Sequence, residues 1–171
     1  MNRKKKHVKE SLVIKNELLL PDDTNPLNNL MGGRLMHWMD IAAGISAMKH
    51  SNAIVATASV DNISFSKPIE LGCIVTLSAQ VTRAYNTSME VYIEVIAENI
   101  PKKIKFKSNS AFFTFVAVDD KGRPIQVPEA IPETQEEKKR YETAMRRREL
   151  RLIMAGRMKP KDAHKLKTLF D

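Results

Sequence analysis

The sequence predicts an α+β fold in which one long central helix is wrapped by a curved antiparallel sheet and followed by a charged helical tail. Three observations carry that expectation. Between Arg34 and His50 there is no proline, and apolar side chains occupy nearly every side of a helix. From Ala53 to Val118 the pattern switches to a period of two and is rich in β-branched residues. From Thr134 onward charged residues return at helical spacing, after a lead-out punctuated by Pro124, Pro128 and Pro132.

Each element follows from local chemistry. Residues 11–20 alternate loosely and end in Leu18-Leu19-Leu20-Pro21, a strand that proline stops. PDDTNPLNNLMGG comes next, a loop whose Asp-Asp, Asn-Pro, Asn-Asn and Gly-Gly pairs are turn chemistry. In the helix that follows, Leu35, Met39, Ala42, Ala43, Ser46 and Ala47 fall at the spacing of a packed face. Met36, Trp38, Ile41, Ile45 and Met48 make its other side apolar too, so other structure must cover it. Cys73 to Thr82 and Met89 to Glu98 alternate as half-buried strands. Ser108 to Val118 is a further strand, closed by the turn Asp119-Asp120-Lys121-Gly122. The short linkers KPIELG and RAYNTS predict antiparallel neighbours. One sheet buries such a helix only by curling about it, the layout of a hotdog fold, and it leaves part of the burial to a partner. TQEE then opens the tail helix, Thr134 to Ala155, with Arg146, Arg147 and Arg148 toward its end, and 156–171 reads as frayed and basic. The chain divides into a basic N-terminal segment 1–10, a hotdog domain 11–132 and a charged helical extension 133–171.

Length and composition set the limits. A chain of 171 residues holds one domain with a sizeable core. A single cysteine, Cys73, excludes an internal disulfide framework and reads as a small core hydrophobe. His7, His50 and His164 are scattered, so no metal site is expected. No apolar run approaches the ~18 residues of a membrane helix, and Lys15, Asn16 and Glu17 interrupt the stretch where a signal peptide would be continuous. A cytoplasmic protein with no membrane insertion is expected. The net charge of +8 splits into +5 over residues 1–15, +6 over 135–171 and −3 between them. A nucleic-acid reader sets a basic stripe with stacking aromatics on a structured face. Here the excess sits at the ends without interleaved aromatics. It reads as solvated tails, with a lesser use in attracting a small polyanion, and no nucleic-acid partner is expected.

Asp40 is the anomaly. It lies mid-helix between Trp38, Met39, Ile41 and Ala42, where a carboxylate either finds donors or has its protonation shifted by burial. Both conditions suit a general base or nucleophile; a carboxylate on an exposed sliver of the helix is the plainer reading. Gly32-Gly33 just before the helix either admit a ligand oxygen to free backbone N–H groups or make a tight turn. Asn25, ahead of Pro26, is a possible amide donor or simply a turn residue.

The run DDTNPLNNLMGGRLMHWMDIAAGISAMKH at 22–50, together with TASVD and NTSMEV, resembles the hotdog-fold acyl-CoA thioesterases. Within them it is similar to the acyl-CoA hydrolases that include long-chain and brain cytosolic enzymes and small bacterial relatives. The resemblance covers about residues 12–142. It implies hydrolysis of an acyl-CoA thioester, with Asn25 and Asp40 as a catalytic pair supplied by different subunits and Thr57 supporting them. It implies that the backbone at Gly32 and Gly33 polarises the thioester carbonyl. The turn holding Arg83, Asn86, Thr87 and Ser88 would grip the nucleotide end of coenzyme A. Dimers, assembled as a trimer of dimers, would form the particle. A thioester is electrophilic and its thiolate leaves readily, so no cofactor or metal is called for; coenzyme A belongs to the substrate. A non-hydrolysing acyl-CoA binder is the nearest rival, and a basic nucleic-acid module a more distant one.

Overall fold

The computed structural model describes residues 3–61, 63, 65 and 67–167. Ten elements follow in chain order: β1 (Lys5–His7), β2 (Val13–Leu18), α1 (Gly32–Ser51), β3 (Ile54–Val60), β4 (Ile74–Ala84), β5 (Ser88–Asn99), β6 (Ile104–Val118), β7 (Glu129–Ile131), α2 (Gln135–Met154) and α3 (His164–Lys167). Five of the strands form one antiparallel sheet in the order β2-β4-β5-β6-β3. It is the hotdog fold, with α1 in the concave face.

The alternation read from the sequence is what makes that face. Val75, Leu77, Ala79 and Val81 of β4 and Val91, Ile93 and Val95 of β5 are fully buried, as are Phe113, Phe115 and Ala117 of β6 nearly so. They join Leu35, Met39, Ala42, Ala43 and Ala47 of α1 in one apolar cluster. Each large side chain so buried contributes roughly 1.5–3 kcal/mol. Gly44 faces the Phe115 ring, which a Cβ would meet at 3.6 Å, so the helix settles close to the sheet. Register shifts at 81/83, 95/96 and 57/59 bend the strands around the helix.

Several expectations are corrected. RAYNTS does close a hairpin between β4 and β5, but KPIELG does not join neighbours. β3 pairs with β6 at one edge of the sheet, and the chain then crosses to β4 beside the other edge. Linker length sets strand direction more firmly than adjacency. Gly32 and Gly33 do not precede the helix; they are its first two residues, after Met31 as N-cap. The burial of α1, by contrast, is as expected of a helix that one sheet cannot cover alone: Met36, Ile41, Ile45 and Met48 stay exposed within one chain.

Nor are the described parts of the basic ends free tails. Lys5–His7 pairs in parallel with Glu129–Ile131, and Val8 is buried. The Arg3 guanidinium donates to the carbonyls of Val127 and Tyr85. At the other end the backbone N–H groups of Lys165 and Leu166 donate to the Glu149 carboxylate, folding α3 back on α2. The tail helix matches its expected span. Thr134 caps it, accepting from the Glu137 N–H, while the Glu137 carboxylate receives the Thr134 N–H at 3.0 Å.

Candidate active site

The sequence candidates fall into three groups along the molecule. The first is Asp40 with Thr57. The bulge at Ala58 keeps Thr57 opposite Phe115 and on the α1 side of the sheet. Its hydroxyl donates to Asp40 Oδ1 at 2.8 Å. Asp40 is half-buried rather than dry, and Thr57 is exposed, so in the single chain this pair opens toward solvent. The carboxylate answers its apolar surroundings by finding a donor. His37, on the same helix, is exposed and stands apart from the pair.

The second group gathers at the start of α1. Asn25 Oδ1 accepts from the N–H groups of Leu27 (2.9 Å) and Asn29 (3.2 Å), an Asx turn that rigidifies the loop. With its oxygen so occupied, the amide NH₂ of Asn25 is the group left to act as donor. Asn25 and Gly32 line a cleft of ≈ 350 Å³ with Leu30, Leu35, Phe65, Lys67, Ser108 and Asn109. The Met31 N–H donates to Asp23, and the first intrahelical bond runs from Leu35 N–H to Met31. The N–H groups of Gly32, Gly33 and Arg34 therefore precede the helical ladder, at the positive end of its dipole. A Cβ at Gly33 would meet nothing within 4 Å, so the backbone there is open to an incoming group. Asp40 lies eight residues further on, roughly 12 Å along the axis, and is not among the residues of this cleft.

The third group, Arg83 with the turn 86–88, sits at the far end of the sheet. Ser88 pairs with Val116, seven residues along β6 from Asn109, which is on the order of 20 Å from the cleft. Arg83 donates to the Tyr141 carbonyl at 3.1 Å and lies over the Tyr141 ring, and Asn86 Oδ1 receives Gln126. The turn is thus tied to the chain's own tail. One chain joins Asn25 with Gly32 and Asp40 with Thr57, and it keeps these two groups apart from each other and from the turn.

A fourth arrangement went unread in the sequence. Glu90 is 0 % exposed, yet it receives Arg147 at 2.8 Å, Arg151 at 3.0 Å and the Thr82 hydroxyl at 2.7 Å. Arg151 also reaches Asp61 at 2.8 Å. Burial pushes the Asp61 carboxyl above its usual range against the pull of Arg151. The sequence carries no signal for it, because Glu90 falls on the polar phase of an alternating strand and is buried only when α2 covers that face. Among the described residues no cluster of three metal-ligating side chains occurs, and no helix is long and apolar enough to cross a membrane.

Residues 27–104 match the model of the thioesterase superfamily. An uncharacterized acyl-CoA thioester hydrolase of Bacillus subtilis is 42% identical over 139 residues, covering 81% of each chain. The chain belongs to the hotdog-fold acyl-CoA thioesterases. The rat cytosolic acyl coenzyme A thioester hydrolase is 39% identical over 127 residues, 73% of this chain but 33% of its own length, so this chain spans about a third of that relative. Among solved structures, an apo-hexameric acyl-CoA thioesterase superposes with TM-score 0.86 at 39% identity, covering 89% of this chain and 97% of its own. A Staphylococcus aureus acyl-CoA hydrolase in complex with butyryl coenzyme A, coenzyme A and coenzyme A disulfide gives 0.83 at 36%, covering 97% and 99%. That hydrolase is also known as three variants in which an aspartate, an asparagine and a threonine are each replaced by alanine.

Proposed function

We propose that this chain hydrolyses acyl-CoA thioesters to a carboxylic acid and free coenzyme A, at sites completed by two copies of itself. The observation that carries the reading is the Thr57–Asp40 hydrogen bond, set beside an uncovered apolar helix face and a free strand edge. The three residue types replaced in the Staphylococcus aureus variants stand 15 and 17 residues apart, as Asn25, Asp40 and Thr57 do, which supports the same assignment.

β3 is the edge through which copies join. Its sequence IVATASV carries no charge and no proline, the features that usually guard a free edge, and Ala56, Thr57 and Ala58 are exposed. An isologous contact there repeats every interaction twice and builds two sites. In each, Asp40 and Thr57 of one copy meet the partner's Asn25. Asp40 takes a proton from water as its oxygen attacks the thioester carbonyl, or attacks directly to give a mixed anhydride that water then opens. The C–S bond breaks with its electron pair leaving on sulfur, and coenzyme A departs as the thiol once protonated. Asn25 positions the water or carbonyl, and the N–H groups at Gly32 and Gly33 stabilise the developing oxyanion. The turn Asn86-Thr87-Ser88 with Arg83 is assigned to the nucleotide end of the substrate. The chemistry needs no metal or cofactor, and the substrate class suits a cytoplasmic enzyme. A trimer of dimers is the assembly assigned to it.

A thiol-release assay over a series of acyl-CoA lengths tests this directly. Asp40→Ala is expected to lose about 10²–10⁴-fold in turnover, and Asn25→Ala to fall with it. A purified protein that binds acyl-CoA and releases no thiol would instead make it a binding protein. Wild-type turnover in both variants would overturn the residue assignment.

A further inference from the structure

The charged extension supplies no reacting group to the site above and touches it only where Tyr141 holds Arg83, and the superfamily match ends at residue 104. Its course over the sheet gives it one. α2 crosses the convex face obliquely. Glu137 near its start receives Gln80 of β4 at 3.0 Å, and Arg140 lies 4.0 Å over the ring of Tyr92 on β5. Arg147 lies 3.8 Å over Phe112 on β6, and Arg151 reaches Asp61 just past the end of β3. β3 is the last strand of the sheet, so the final turn of α2, which lies over Ser59–Asp61, ends at the free edge. There Leu150 and Met154 are exposed, Met154 by 81%, over a cleft of ≈ 580 Å³ floored by Ser59, Val60 and Asp61.

We infer that this end of α2 clasps the second copy: Leu150 and Met154 close over the partner's Ile54, and Arg157 pairs with the partner's Asp120. The inference rests on the two-copy reading of the site. Antiparallel pairing through β3 sets the first half of one strand beside the second half of the other. The partner's Ile54 and Ala56 then arrive beside Ser59–Asp61, at the end of α2. Ile54 is 55% exposed in the single chain and shares a recess with Val118, Asp119 and Asp120. The charges match as well as the shapes. Asp119 is satisfied by the N–H groups of Lys121 and Arg123 and by the Arg123 guanidinium. Asp120 is exposed and has no ion-pair partner among the described residues, and the same holds for Arg157 in the turn after α2. Bringing an apolar helix end with a basic tip onto an apolar strand with an acidic flank removes both patches from water and guides the approach.

Charge reversal separates this contact from any role inside one chain. Arg157→Glu and Asp120→Arg, both at exposed positions, should each raise the protein concentration at which the particle dissociates by about tenfold at low salt, since every contact occurs twice. The double variant should return it to within about threefold of wild type. Independently, Ile54→Cys combined with Met154→Cys should give a reductant-sensitive band of twice the chain mass, while neither single variant does. The two positions lie at opposite ends of β3, too far apart for a bond within one chain. Single reversals that dissociate like wild type, or a double variant no better than its parents with no interchain disulfide, would overturn the clasp. If the wild type associates and its activity depends on that association, only the clasp fails. A wild-type monomer that turns over thioester would remove the two-copy site along with it.

Discussion

Thr57 carries its hydroxyl to within 2.8 Å of Asp40 because a bulge at the next residue holds it on the helix side of β3. A hydrogen bond to a charged group is worth roughly 1.5–3 kcal/mol, so Thr57→Val should lower kcat by on the order of 10–100-fold. Thr57→Ser, which keeps the donor, should retain most of it; equal losses in the two variants would mean the methyl packing matters and the donor does not. Asp40 itself was legible as a carboxylate out of place in an apolar helix. Its partner was legible only through family resemblance, because the sequence does not reveal which residue of an edge strand faces a helix. Of the readings the sequence leaves open for it, the single chain shows a half-buried carboxylate that has found a donor. His50 shows the opposite case. It is fully buried at the end of α1, with Nε2 3.0 Å from the Pro128 carbonyl and Nδ1 without a partner among the described residues. Burial lowers its pKa from 6.5, outweighing the bond to Pro128. The unfolded chain then binds the proton more readily, so stability should fall as pH drops below about 6.5. Denaturant melts between pH 5 and 7.5 check this: His50→Gln should flatten the loss over that window, and an unchanged slope would clear His50 of the effect.

At the scale of elements, α2 was read almost to the residue, because a capping box and helical charge spacing are local signals. β1 and β7 were missed because strands of three residues, one within a lysine run and one between prolines, carry no period to detect. The position of β3 at the sheet edge was missed for a related reason: adjacency in a sheet is decided by long-range packing. What holds α2 was also unreadable, since it depends on side chains that meet only after folding. Glu90 is sealed beneath the helix, and Arg147 and Arg151 neutralise it there. Removing one partner of a buried ion pair is far costlier than the pair's net worth, because a charge is left in a poor solvent. Arg147→Ala should therefore cost about 3 kcal/mol, with Arg151 tempering the loss. Replacing Glu90 by Gln in that background should recover part of it, because the uncompensated charge is gone. Losses that simply add in the double variant would show that Arg147 acts through its stacking on Phe112 instead. Thr134→Ala, which removes the cap alone, should cost about 1 kcal/mol.

The whole molecule looks unfinished as one chain. An uncharged edge strand, an apolar helix face and the apolar end of the tail helix are all left uncovered, and the candidate site is divided between two places roughly 12 Å apart on α1. Each feature is a cost to a solitary protein and an asset to a paired one, because burial of the exposed Ile41, Ile45 and Met48 draws on the same hydrophobic term that built the core. If Asp40 and Asn25 act from different copies, two dead variants can mend each other. A particle containing one Asp40→Ala chain and one Asn25→Ala chain holds one site with both residues lost and one with both intact. Random exchange makes half of the pairs mixed, so an equimolar mixture should recover about a quarter of wild-type activity per chain, while each variant alone stays inactive. The recovery should appear over the time the copies take to exchange, and it should vanish if the chains are kept below their dissociation concentration. A mixture that remains as inactive as its components, after mass measurements show that exchange has occurred, would place both residues in one chain's site and leave the exposed edge without a catalytic purpose.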